Sequence, residues 1–63
     1  MKDVSIVIIS WRMRNLLEVC LKSLIKYTTG INYEIILIDN NSMDGTSEMI
    51  RNDFSEINLI VNK

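Results

Sequence analysis

Apolar positions along this chain form three nearly unbroken blocks, separated by two stretches in which they recur at helical spacing. Val4-Ser5-Ile6-Val7-Ile8-Ile9 is a β-branched run with little alternation, the pattern of a strand buried on both faces in a parallel sheet. Residues 33–38 repeat that pattern, and residues 57–61 predict a third strand. Between the first two blocks, Leu17, Cys20, Leu21, Leu24 and Ile25 recur three and four apart, with Glu18, Lys22 and Lys26 elsewhere on the cylinder. That predicts a helix near residues 14–28. Asn15 with Glu18 reads as its N-cap, and Gly30 as the glycine that stops it. Thr46, Met49, Ile50 and Phe54 mark a second, narrower helix to about residue 54, capped by one of Asn41, Ser42 or Asp44.

The order β-α-β-α-β, with crossovers long enough for parallel pairing, places the chain in the α/β class as half of a doubly wound nucleotide-binding fold. Right-handed crossovers leave two strand orders open. Order 2-1-3 puts the helices on opposite faces of the sheet, whereas order 3-2-1 puts both on one face. The second arrangement leaves about five large strand side chains uncovered, at roughly 1.5–3 kcal/mol each. The lost burial, about 8–15 kcal/mol, is as large as the whole stability of a typical domain. A chain of that order needs a cover for its bare face, either a second copy or a C-terminal portion.

Composition narrows the chemistry. Sixty-three residues make one small domain, and 48% hydrophobic with 24% charged residues is ordinary for a folded chain. A formal charge of -1 argues against a nucleic-acid or anionic-membrane surface. No apolar run approaches the roughly 20 residues of a membrane helix and no signal peptide is evident, so a cytoplasmic location is expected. One cysteine and no histidine exclude an internal disulfide and a Cys/His zinc site. Cys20, placed among leucines of the first helix, reads as a buried structural thiol rather than a nucleophile.

Candidate chemistry gathers at the ends of the strands. Asp39 closes the second strand, where open α/β sheets bind ligands at their carboxyl rim; its alternative is a solvated turn acid. Asp44 suits the first turn of a helix, where a carboxylate satisfies free N–H groups, and ligand contact is the second reading. Ser10, Trp11, Arg12 and Arg14 occupy the turn after the first strand. Its two arginines could hold a diphosphate and its tryptophan could stack on a base, or the turn is simply solvated and basic. A calcium loop is excluded, because the closing acid would fall on Arg51 and a strand precedes the loop. No glycine-rich phosphate loop is present.

Three pieces in order resemble the N-terminus of a family 2 glycosyltransferase. They are Val4-Ser5-Ile6-Val7-Ile8-Ile9-Ser10-Trp11, then Leu16-Leu17 with Cys20-Leu21-x-Ser23-Leu24, then the segment from Tyr33 through Asp39-Asn40-Asn41-Ser42-x-Asp44-Gly45-Thr46. The last is similar to the family's Asp-Asn-x-Ser-x-Asp-Gly-Thr motif. Ser10-Trp11 and Asn40-Asn41 point toward a rhamnosyltransferase-like branch. The resemblance implies the N-terminal part of a GT-A fold with strand order 3-2-1, a single nucleotide-sugar-binding domain over residues 1–63 that reads as truncated at its C-terminus. It further implies a nucleoside diphosphate sugar donor, a nucleotide pocket lined by Ser10 and Trp11, Asp39 on the base and a mainly structural Asp44 near the nucleotide, with Arg12 from the residue reading completing the nucleotide-binding set. Arg12 stands where the family commonly has asparagine.

The divalent metal, Mg or Mn, belongs by that resemblance to an Asp-x-Asp motif later in the fold, as do the catalytic base and the acceptor site. Asp39-Asn40-Asn41 is not that motif, so no catalytic residue and no metal ligand is assigned within this chain. The expected parent is a transferase moving a sugar to a saccharide or lipid-linked acceptor, as in cell-wall or polysaccharide biosynthesis, and the piece alone is expected to be inactive. The alternatives are a non-catalytic nucleotide-binding module and a self-assembling α/β unit.

Overall fold

Each apolar block becomes a strand in the computed structural model, which describes residues 2–62. The elements run β1 (Val4–Ser10), α1 (Arg14–Tyr27), β2 (Tyr33–Asn40), α2 (Thr46–Asp53) and β3 (Asn58–Asn62). The strands form one sheet in the order β1-β2-β3, and both pairings are parallel. This is order 3-2-1, with β2 in the centre. Its register sets Ser10 beside Asp39, and Asp39 beside Val61, so the C-terminal ends of all three strands meet at one rim.

The core lies on one face of that sheet. Ile35 and Leu37 of β2 pack with Leu17 and Leu21 of α1 and with Met49 and Ile50 of α2. Phe54 and Ile57 close it beyond α2, and Ile6, Ile8 and Leu59 border it from the outer strands. All four residues of the expected α2 stripe are buried. Both helices therefore cover the same side, as order 3-2-1 requires.

Alternate strand residues point the other way. Val7, Ile9 and Ile60 are 57%, 64% and 48% exposed, while Ile36 and Ile38 between them are half-buried. The outer strands shield the central pair, so the bare face costs less than five fully wet side chains would. Polar pairs bound it at both ends. Glu34 accepts from Ser5 at 2.8 Å and from Asn58 at 3.2 Å, and Asn62 donates to Asn40 at 3.0 Å.

Three local expectations are corrected. Cys20 is exposed, not buried. At 100° per residue, Leu17 and Leu21 define a narrow line on the sheet, and Cys20 and Ile25 fall on either side of it. Asn15 does not cap α1. Met13 holds the N-cap position without a side-chain bond, and the free N–H of Arg14 is met instead by Asp44 Oδ2, 3.3 Å away in the next turn. Gly30 is left-handed at φ +76°, but α1 has already ended at Thr28, whose N–H bonds Leu24. Gly30 turns the chain into β2 rather than stopping the helix. No helix among the described residues is long and apolar enough to cross a membrane.

Candidate functional site

Two turns meet at the C-terminal rim: residues 11–13 after β1 and residues 41–45 after β2. Each leaves its strand sharply. Arg12 (φ +51°), Asn41 (φ +56°) and Met43 (φ +56°) all adopt the left-handed conformation that costs an L-residue roughly 1–2 kcal/mol. Gly45 does the same at φ +88°, and a Cβ there would stand 3.3 Å from Arg14 Nε. Glycine thus serves both the backbone angle and the close approach of α1. Such strain collects at functional sites and persists only when surrounding bonds hold it.

Those bonds are side chain to side chain. Ser10, Asp39, Ser42 and Thr46 are the buried polar residues of the described chain, each 3% exposed or less. Asp39 Oδ1 accepts the hydroxyl of Ser42 and, at 3.4 Å, that of Ser10. Ser42 in turn accepts the backbone N–H of Arg12 at 2.8 Å. The second acid works in parallel. Asp44 Oδ1 accepts the hydroxyl of Thr46 and its N–H at 3.1 Å, while Oδ2 accepts Arg14 N–H. One carboxylate thus caps the first turns of both helices, where the helix dipoles also favour a negative charge.

The Thr46 hydroxyl, opposed by desolvation and helped by the backbone N–H groups of Thr46, Arg14 and Asp44 itself, holds the Asp44 carboxyl below its ordinary value of 3.8. A depressed carboxyl stabilises the fold fully above its unfolded pKa, and that contribution is lost as pH falls through the folded value. Wild-type melting temperature is therefore expected to drop below about pH 4 more steeply than that of Asp44→Asn. At neutral pH, Asp44→Ala should cost about 1 kcal/mol in caps. Melts of the three proteins from pH 6 to pH 3 check both signs.

Beside Asp39 lies an open hollow of about 490 Å³, lined also by Ser42, Thr46, Glu48 and Val61. Its size is within the usual range for small-molecule sites. Of the five residues expected to meet a nucleotide, Asp39 lines this hollow. Ser10 is buried behind Asp39, and Asp44 ties the two helix starts together. Trp11 is 59% exposed, with the Arg12 guanidinium 5.1 Å from its ring centroid. Arg14 lies along its own helix start, donating to Asn15 at 3.0 Å. Sequence reasoning named Ser42 only as a candidate helix cap and Thr46 only as part of the core stripe, and missed both as hydrogen-bonding partners of the two acids. Their signal was the hydroxyl three residues after Asp39 and two after Asp44, both within reach of a local side-chain bond.

No group of three or more metal-ligating side chains comes together among the described residues. Calcium and magnesium sites are built from several oxygens, so these residues do not by themselves fit the divalent cation implied by the resemblance.

A three-stranded parallel sheet in order β1-β2-β3 with two helices on one face defines an α/β unit of the half-Rossmann type. The model of glycosyl transferase family 2 matches residues 5–63, and the chain belongs to that family, whose reaction is glycosyl transfer. Neither curated proteins nor solved structures give a match.

Proposed function

We propose that this chain is the donor-binding part of a glycosyltransferase, holding the nucleoside diphosphate of an activated sugar at the C-terminal rim of its sheet. The observation that carries the reading is Asp39, a carboxylate 3% exposed at the end of the central strand and bordering an open hollow. A buried charge is costly, and two hydroxyls directed at Oδ1 offset part of that cost. Holding it there makes sense for a group that meets a donor on the ligand.

The base N–H would meet Asp39. The diphosphate would lie toward Arg12, because the hollow holds Asp39 and Glu48 but no cation. Trp11 would pack against the ribose or base from the same turn. Ser10 and Asp44 act from behind, by holding Asp39 and the two helix starts. The acceptor is a saccharide or a lipid-linked sugar, in a rhamnosyltransferase-like cytoplasmic enzyme of polysaccharide or cell-wall assembly. The metal donors and the base that deprotonates the acceptor belong to other parts of a GT-A fold, so residues 1–63 alone bind without turnover. The bare face around Val7, Ile9 and Ile60 is covered in the working enzyme by further chain of that fold, or by a second copy.

Trp11, the one tryptophan in the chain, reports on this directly. Uridine or thymidine diphosphate is expected to change its fluorescence saturably, with inorganic phosphate far weaker. No change up to millimolar nucleotide, in a folded sample, contradicts the reading.

A further inference from the structure

Ser42 sits 2% exposed between the two turns, and its single hydroxyl has both of its roles assigned. It accepts Arg12 N–H at 2.8 Å, so its own proton is directed to Asp39 Oδ1. Arg12 is left-handed there, and its N–H is the donor that turns the Ser42 hydroxyl. Ser10 reaches the same oxygen from β1, but at 3.4 Å and therefore weakly. No hydrogen bond to Asp39 Oδ2 is made among the described residues.

We infer that Ser42 is a positioning residue for the nucleotide base: it locks Asp39 by one oxygen and leaves the other as a pure acceptor for a ligand N–H. The inference rests on the nucleotide-binding reading of this rim. A carboxylate fixed in this way discriminates between bases by their edge. Uracil and thymine present an imide N–H at N3, whereas cytosine presents a bare ring nitrogen there. A site built to accept a hydrogen bond rejects the analogue that lacks the donor, because its own acceptor is then left unpaired. Without Ser42, Asp39 can rotate about its terminal torsion, which is broad and nearly two-fold, and the preference is lost. The same hydroxyl links the base carboxylate to the Arg12 turn, so a change at one is felt at the other.

The test compares wild type, Ser42→Ala and Ser55→Ala, each first shown to be folded by far-UV circular dichroism. Two quantities are read: the ratio of uridine to cytidine diphosphate affinities, and hydrogen exchange of the Arg12 amide without ligand. In Ser42→Ala the uridine preference is expected to fall about tenfold, with Arg12 exchange accelerated at least tenfold. Ser55→Ala, an exposed serine in the turn before β3, should change each less than threefold. A structural role alone would weaken both nucleotides equally, and a Ser42→Ala protein that keeps its uridine preference overturns the inference. A variant that does not fold is replaced by Ser42→Thr, which retains the hydroxyl and must retain the preference. Should the wild type bind no nucleotide, the reading of the rim falls instead. The lock is then decided by exchange alone, and an Arg12 amide equally fast in wild type and Ser42→Ala overturns it.

Discussion

Leu37→Ala is expected to abolish cooperative folding. Leu37 is fully buried at the middle of β2, between Ile8 and Leu59 in register, and its core face meets both helices. Truncating a buried leucine costs about 2–5 kcal/mol, through lost transfer energy and the cavity left behind. A domain this small rarely draws more than about 3–5 kcal/mol from its single core. The two figures meet, so the variant should show no sigmoidal thermal transition by circular dichroism. Ile9→Ala removes a side chain of equal size from the other face of the sheet. There it is 64% exposed, and the cost should stay below about 1 kcal/mol. Equal losses in the two variants would mean that the faces are wrongly assigned.

Asp39→Asn is expected to weaken nucleotide binding at least tenfold while leaving the fold in place. Asparagine keeps one side-chain oxygen to accept the Ser42 and Ser10 hydroxyls, so the buried network stays satisfied. At the other position it presents an NH₂ group where the carboxylate had an acceptor, and a ligand N–H then meets a donor. A hydrogen bond to a charged group contributes about 1.5–3 kcal/mol, so affinity should fall at least tenfold and as much as a hundredfold. Asp39→Ala is the harsher change. It strands two buried hydroxyls and should lower the melting temperature as well as the affinity. Calorimetric titration of uridine diphosphate into both variants separates the two effects. Binding by Asp39→Asn within threefold of wild type would remove Asp39 from the site.

The fold was legible because its signals are periodic. Unbroken β-branched runs in a chain with long crossovers leave little besides a parallel sheet, and the Met49-Ile50-Phe54 stripe sits where its spacing put it. Strand order came from the resemblance, since hydropathy does not distinguish which face a crossover covers. Helix ends were less legible for a physical reason. Asn15 is the kind of residue that caps locally, but Met13 takes the N-cap position, and the N–H of Arg14 is met by Asp44, at a separation of 30 residues. Cys20 failed for another: three leucines already fill the line that meets the sheet, and spacing alone does not give the width of that contact. At the site, Asp39 was visible as an acid ending a buried run. Ser42 was not, because a hydroxyl in a polar turn is ordinary until the Arg12 N–H is seen to occupy it.

The claim that the rim around Asp39 is a nucleotide-sugar donor pocket is tested most directly by NMR mapping of the labelled chain with uridine and thymidine diphosphates. Saturable shifts confined to residues 10–14 and 39–46 are the predicted result. Shifts centred on the bare face around Val7, Ile9 and Ile60, or none in a folded sample at millimolar nucleotide, would contradict it.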